Sequence, residues 1–239
     1  MLTISQSNID QLKLIRDKYL SGINVPDEGN WKEKSNNELW LTIFAQVVVV
    51  GKSSPVEILK SNDEYRNKIA YEKLITINDD ETLGAMINEV LCSIGARYAS
   101  KDIERCRKTK ALVYNFNKIR SFPEGPVGFF AYLEGINGNN SEKKRIDYVI
   151  DHFKFIKNKS ARDLLMELGL IRNAIALDVR VVNILRQIGI NVPDGYENNA
   201  KLYAEIEKDI LDNICTPLNL SGIQLDRLIY NSYKDIILK

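Results

Sequence analysis

Helix-start and helix-stop signals alternate along most of the chain, and this punctuation constrains the fold more than any other feature. Ser35 with Glu38 forms a capping box directly before an apolar run. Gly169 and Gly189 follow the last apolar residue of two segments, a place where helices commonly end. Within the segments, apolar residues recur at intervals of three and four, which is the period of one helix face. The pattern predicts an all-α protein.

Further caps mark where individual helices begin. Ser54 and Pro55 with Glu57 predict a second capping box, and Asp79 or Asp80 predicts the start of the next helix. The capping box at Ser35 precedes an apolar run over residues 39–50, and the further predicted helices cover residues 80–94, 101–116, 142–155, 159–168, 179–188, 198–214 and 222–238.

The composition is that of a globular protein, with 44% apolar and 27% charged residues among 239. No uncharged apolar stretch reaches the length of about 18 residues that would predict a transmembrane helix. The N-terminus lacks the basic and apolar regions of a signal peptide, so a cytoplasmic location is expected. The net charge of +1 lacks the basic excess typical of nucleic-acid-binding proteins, but residues 143–162 contain seven Lys or Arg against two Asp. Composition alone leaves DNA binding open.

The Cys and His residues exclude several classes of protein. Cys92, Cys106 and Cys215 are widely spaced, which is typical of isolated thiols in a reducing compartment. They do not form the closely grouped set of four that an iron–sulfur cluster requires. His152 is the only histidine, so metal sites built on several histidines are excluded. No metal and no organic cofactor is expected.

One segment, residues 155–180, combines features that indicate chemistry. A tight turn near Lys157 and Asn158 precedes a helix that ends at Gly169, and an extended link then delivers Asp178 to the start of another helix. An aspartate in that place ordinarily caps the helix by accepting hydrogen bonds from its first amides. The residues alone therefore leave Asp178 as either a helix cap or a functional carboxylate.

This segment resembles the helix-hairpin-helix (HhH-GPD) DNA glycosylases, and most of all the archaeal 8-oxoguanine DNA glycosylases. Lys159 stands two residues before Ala161, and Asp178 follows Lys159 by nineteen residues, as in the family signature. The residues around Asp178, ending in Arg180, occupy the place of the family's V-D-x-H sequence. The resemblance implies a two-lobed helical bundle with a central cleft lined by Lys159 and Asp178. Residues 1–239 would form a single glycosylase domain, with the helix-hairpin-helix at about 142–169.

The hairpin departs from the family pattern. Phe155 and Lys157 stand where the family has two glycines that let backbone amides approach a DNA phosphate, often beside a monovalent cation. Arg180 replaces the family's histidine and is a plausible phosphate contact. The resemblance implies DNA binding through Lys157, Asn158, Arg162 and Arg180, with a monovalent cation at the hairpin as the one expected ion.

Two positions outside this segment also match. Gln46 ends an apolar helix, and in relatives a glutamine there enters the gap left by the flipped base; it is equally well explained as a surface residue. Lys239 ends the chain, as a lysine involved in base recognition ends the archaeal enzymes, although a terminal lysine is common by chance.

The resemblance implies a base-excision repair enzyme that removes a damaged base, with 8-oxoguanine favoured, from duplex DNA. Asp178 would stabilise the positive charge that builds on the sugar, and the Lys159 amine would attack the sugar carbon to form a Schiff base. Such an enzyme has glycosylase and AP lyase activity, and we expect it to act as a monomer on nucleoid DNA.

Three alternatives remain open. A monofunctional glycosylase would use Asp178 to activate water, with Lys159 incidental. A non-catalytic DNA-binding protein would have kept the fold and lost the chemistry. An unrelated α-helical interaction protein would have neither the glycosylase fold nor the glycosylase chemistry.

Overall fold

A computed structural model describes residues 2–237, and all regular secondary structure in that part of the chain is helical, which confirms the all-α prediction. The α-helices are α1 (Gln6–Tyr19), α2 (Asn36–Val48), α3 (Ser54–Ser61), α4 (Asp63–Lys68), α5 (Tyr71–Leu74), α6 (Asp80–Ser93), α7 (Arg107–Arg120), α8 (Pro126–Glu134), α9 (Ser141–His152), α10 (Asn158–Glu167), α11 (Val179–Gln187), α12 (Ala200–Ile210), α13 (Thr216–Leu218) and α14 (Gly222–Ile237). A π-helical segment, Leu211–Cys215, connects α12 to α13. None of the described helices is long and apolar enough to cross a membrane.

The caps that the sequence predicts are largely confirmed. The Ser35 side chain accepts from the Glu38 amide while the Glu38 carboxylate accepts from the Ser35 amide, so the capping box closes in both directions. Asp79 caps α6 through the Thr82 amide. Gly95 ends that helix with a φ of 66°, in the left-handed region where a side chain would be strained.

Two predicted helix starts are wrong. Ser54 is the first residue of α3 rather than its cap, and Ser53 precedes it without a side-chain capping bond. The helix predicted from residue 101 begins at Arg107 instead. Asp102 caps a short 3-10 turn there, and the extended backbone of Cys106 (φ −81°, ψ 92°) separates that turn from α7.

The described chain forms two compact units. One unit joins the N-terminal segment up to Gly29 with the chain from Asn158 onward, and the other comprises Asn30–Lys157. Helices α9 and α10 occupy the predicted helix-hairpin-helix segment, and the chain passes from one unit to the other between them. Whether the chain acts as a single glycosylase domain with a cleft stays a prediction.

The unit Asn30–Lys157 is built around α2, which packs against α5, α7 and α8. The Trp40 ring lies edge-on to Phe44 and Phe116, with ring centroids 6.1 and 5.0 Å away. The buried Lys108 amine donates to the Val48 carbonyl at 2.7 Å, so it satisfies the carboxyl end of α2. Burial lowers the pKa of Lys108 to about 8.

The other unit has its core between α11, α12 and α14. Their inward faces carry aliphatic side chains that include Leu185, Ile206, Leu225 and Ile229. The same faces also carry Tyr203, Glu207 and Asp226, which are all buried. Buried polar and charged side chains occur where they are paired or hydrogen-bonded, and these three accept hydrogen bonds from the chain that leads to Asp178.

Candidate active site

The turn between α9 and α10 keeps a left-handed residue although it lacks glycine. Phe155 has a φ of 60°, a conformation that residues with a side chain rarely adopt. The Arg107 guanidinium lies 5.6 Å from the centroid of the Phe155 ring. Asn115 donates to the Lys154 carbonyl at 3.0 Å and accepts from the Lys154 amide at 2.7 Å. Neighbouring side chains therefore support this turn conformation without a glycine.

Lys159 lies in the first turn of α10. Its side chain is 37% exposed, and its Nζ atom is 3.2 Å from the Asp163 carboxylate on the next turn. Arg227 also contacts Asp163, at 3.5 Å. The amine is thus held beside a carboxylate and is partly exposed to solvent.

Asp178 is the N-cap of α11. Its Oδ1 atom accepts from the amides of Arg180 at 2.8 Å and Val181 at 3.1 Å. In the described part of the chain Oδ2 accepts no hydrogen bond. The side chain is half-buried, and its Oδ1 atom fixes the carboxylate to the helix. Capping and chemistry are compatible roles for this residue.

The extended link before Asp178 is held at three successive amides by buried side chains. The three bonds run from the Ile175 amide to Glu207 Oε1 at 2.9 Å, from the Ala176 amide to Asp226 Oδ1 at 3.1 Å, and from the Leu177 amide to Tyr203 Oη at 2.8 Å. Tyr203 Oη also donates to the Ile175 carbonyl at 3.0 Å, so its hydroxyl uses both its donor and its acceptor capacity.

Arg162 is a correction to the predicted DNA-binding residues. It is 6% exposed, and its guanidinium donates twice to Glu207, at 2.7 and 2.6 Å. A third donor reaches the Asn158 carbonyl at 2.9 Å, and the guanidinium lies 4.3 Å from the Tyr203 ring centroid. Because all of these contacts are inside the protein, Arg162 cannot bind a DNA phosphate in this conformation. Its position on the buried face of α10 is the physical reason.

The remaining candidates of this segment are exposed or partly exposed. Lys157 is exposed and Asn158 is half-exposed at the start of α10. Arg180 is half-buried, with its guanidinium 4.1 Å from the centroid of the Tyr230 ring. These three remain compatible with phosphate contacts, which stay predictions.

Gln46 and Lys239 are the two predicted site residues outside the segment 155–180. Gln46 lies in the last turns of α2 and is 8% exposed, so its side chain would have to move to enter a DNA duplex. Its insertion stays a prediction. Lys239 lies outside the described residues.

Sequence analysis missed Tyr203, Glu207 and Asp226. A signal was present, because each polar residue stands among apolar ones on the inward face of its helix. Glu207 is next to Ile206 and three residues before Ile210, and Asp226 is next to Leu225. Charged residues at core positions are buried only when they are paired, so they mark internal polar contacts.

Burial has a strong effect on the Asp226 carboxyl. It is 4% exposed, and burial raises its pKa to about 7. The adjacent Arg227 and the Ala176 amide oppose this shift, whereas Asp163 and Asp178 add to it. A carboxyl in an unfolded chain has a pKa near 4, so the folded protein keeps a proton that the unfolded chain releases between these values.

We therefore expect rising pH to lower the free energy of unfolding of the native chain more than that of Asp226→Asn. The raised pKa contributes stability that is present at acid pH and is lost as pH rises towards 7. Between about pH 5 and pH 8 the native chain should lose about 2–3 kcal/mol of unfolding free energy that Asp226→Asn does not lose. Denaturant unfolding at several pH values measures this, with the exposed Asp235→Asn as the control on the same helix. Parallel pH profiles for the native chain and Asp226→Asn would contradict it.

No group of three or more His, Cys, Asp or Glu side chains suited to a metal ion occurs among residues 2–237. At the hairpin, the Lys154 carbonyl is already engaged by Asn115. The monovalent cation expected there stays a prediction.

Solved structures share this fold. The 8-oxoguanine DNA glycosylase of Methanocaldococcus jannaschii matches with a TM-score of 0.64 and 17% identity, over 93% of this chain and 91% of that one. A structure from the same archaeon, of 8-oxoguanine glycosylase/lyase in complex with a 15mer DNA containing 8-oxoguanine, matches with a TM-score of 0.63 and 19% identity, over 97% and 98%. The 8-oxoguanine DNA glycosylase of Thermotoga maritima matches with a TM-score of 0.60 and 16% identity, over 93% of each chain.

These likenesses define the class of fold: an all-α glycosylase fold that extends over almost the whole chain. The particular fold is that of the 8-oxoguanine DNA glycosylases. No protein-family model matches the sequence, and no curated protein sequence matches it significantly.

Proposed function

We propose that the protein is a DNA glycosylase that removes a damaged base from duplex DNA, with 8-oxoguanine as the favoured lesion. The observation that carries the proposal is the fold match over 97% of the chain to a glycosylase/lyase whose structure contains DNA with 8-oxoguanine. The positions of Lys159 and Asp178 in the family motif support it.

The proposed chemistry needs both residues. A base inside a duplex must first leave the stack, at a cost of a few kcal/mol. Cleavage of the glycosylic bond then builds positive charge on the sugar, and the Asp178 carboxylate stabilises it. Attack of the Lys159 amine on the sugar carbon displaces the base and leads to a Schiff base, from which β-elimination nicks the strand. This is the AP lyase step.

Borohydride trapping on 8-oxoguanine duplexes tests the proposal, because reduction converts the Schiff base into a permanent protein–DNA adduct. We expect base release, strand nicking and a trapped adduct. Adduct formation only on another lesion, such as hypoxanthine or thymine glycol, would keep the mechanism and replace the substrate. No base release from any lesion would overturn the enzyme proposal and favour a non-catalytic DNA-binding protein.

A monofunctional glycosylase is the second candidate, and one observation favours it. The Lys159 amine is ion-paired with Asp163 and more than a third exposed, unlike a lysine desolvated for nucleophilic attack. In that case Asp178 would activate water directly. Base release without strand nicking or trapping would identify this mechanism.

DNA binding should depend on salt through phosphate contacts. Each phosphate-binding cation that is removed should lower the slope of log K against log salt by about one unit. Lys157→Ala and Arg180→Ala should each have this effect on duplex binding measured by fluorescence anisotropy. Lys201→Ala is the matched control, because Lys201 is an exposed lysine that pairs with Glu205 on the same helix. Salt slopes that neither Lys157→Ala nor Arg180→Ala changes would contradict the predicted contacts.

A further inference from the structure

The helical unit that carries Lys159 and Asp178 contains two groups of polar side chains that end at the same link before Asp178 and together form a polar network. This polar network consists of Asp163, Arg162, Tyr203, Glu207, Asp226 and Arg227. Four of its members are buried: Arg162, Tyr203, Glu207 and Asp226. Burying charges is costly unless each is paired, and well-packed apolar residues often stabilise a core equally well. Stability alone is therefore a weak explanation for the polar network.

One route through the network links the backbone beside Lys159 to the backbone before Asp178. Arg162 donates to the carbonyl of Asn158, the residue that precedes Lys159, at 2.9 Å. The same guanidinium binds Glu207 with two hydrogen bonds, and Glu207 Oε1 accepts from the Ile175 amide at 2.9 Å. Two charged side chains thus span the distance between the start of α10 and the link to Asp178.

A second route begins at the Lys159 side chain itself. Its amine contacts Asp163 at 3.2 Å, and the other oxygen of Asp163 is 3.5 Å from Arg227 Nη1. That Nη1 atom is 3.7 Å from Asp226 Oδ2, and Asp226 Oδ1 accepts from the Ala176 amide at 3.1 Å. This route ends two residues before Asp178.

Tyr203 reinforces the point where both routes end. Its hydroxyl bridges the Ile175 carbonyl and the Leu177 amide, and its ring lies against the Arg162 guanidinium. Burial raises the pKa of Tyr203, so the hydroxyl keeps the proton that it donates.

We propose that the polar network positions the Lys159 amine and the Asp178 carboxylate relative to each other, so that its members are positioning residues for the glycosylase reaction. This inference rests on the proposed function. We expect changes in the network to leave DNA affinity nearly unchanged, because four of its six members are buried. Its effect falls on the chemical step, where a misplacement of about 1 Å can lower the rate about 100-fold.

Tyr203→Phe tests the proposal with a small change, since it removes one hydroxyl and keeps the ring packed on Arg162. We expect the single-turnover rate of base release from an 8-oxoguanine duplex to fall about 10- to 100-fold while the Kd for the same duplex stays within about twofold. Asp226→Asn is the second variant. At pH 8, above the pKa of Asp226, it keeps an acceptor for the Ala176 amide but removes the negative charge beside Arg227, and should lower the rate about 10-fold.

Asn8→Ala and Ser232→Ala are the matched controls in the same unit. Asn8 donates to the Ile188 carbonyl at 2.6 Å, at the far end of α11, and Ser232 donates to the Leu228 carbonyl within α14. Both are buried, and neither belongs to the polar network. Their melting temperatures should fall at least as much as that of Tyr203→Phe, with an unchanged rate of base release.

The outcomes separate the two proposals. Base release by the native chain with an undiminished rate in Tyr203→Phe and Asp226→Asn overturns the positioning role alone. An equal loss of rate in the Asn8→Ala and Ser232→Ala controls also overturns it, because the loss would then follow stability. No base release by the native chain on any lesion overturns the proposed function and the positioning role together.

Discussion

Asp178→Asn is expected to lower the rate of base release by about 100- to 10,000-fold while the protein stays folded. Asparagine caps helices as well as aspartate, so the hydrogen bonds to the Arg180 and Val181 amides can be kept. What the substitution removes is the negative charge that would stabilise the developing cation on the sugar. Single-turnover base release at a saturating enzyme concentration measures the effect.

Asp79→Asn is the control for this variant. Asp79 caps α6 through the Thr82 amide in the other unit, so the same chemical change is made at an equivalent helix position. Its rate of base release should equal that of the native chain. If Asp178→Asn likewise retains the native rate, Asp178 is a helix cap and nothing more.

Lys159→Gln is expected to abolish the adduct trapped by borohydride, since glutamine has no amine with which to form a Schiff base. Strand nicking that depends on the covalent intermediate should be lost with it. Helix α10 should persist, because glutamine and lysine have similar helix propensities. Gel separation of protein–DNA adducts after reduction gives a direct measurement.

Lys208→Gln is the matched control for the lysine. Lys208 forms an ion pair with Asp212 four residues further on, as Lys159 does with Asp163, and it lies in the same unit. Trapping should be undiminished in this variant. A Lys159→Gln protein that still forms the adduct would mean that another amine is the nucleophile, and one that releases base without nicking would establish Asp178 and water as sufficient.

Local features were predictable from the sequence. Capping by Ser35, Asp79 and Asp178 involves amides within three residues of the cap, so each cap could be recognised from a few neighbouring letters. The ends of helices at Gly169 and Gly189 were predictable for the same reason. Both have a positive φ, which depends on the residue itself and the adjacent peptide groups.

The turn at Phe155 could not be predicted from its neighbours in the sequence. A phenylalanine gives no sequence signal for a left-handed conformation, and its φ of 60° depends on contacts with Arg107 and on the hold of Asn115 on Lys154. Arg107 is 48 positions from Phe155 and Asn115 is 39 positions from Lys154, and only folding of the chain can close such separations. Only the tertiary structure could decide the shape of this turn.

The environment of Arg162 was decided in the same way. A basic residue three positions after Lys159 is, by sequence alone, a reasonable phosphate contact. Arg162 instead points into the protein, because it hydrogen-bonds Glu207 and packs against the ring of Tyr203 on α12. The sequence by itself determined an all-helical chain and placed Lys159 and Asp178 at the starts of two helices, because capping and helical periodicity act within about four residues. Which charged side chains hold those two residues was decided by the packing of α10, α12 and α14, because pairs separated by 45 or 64 residues meet only when their helices do.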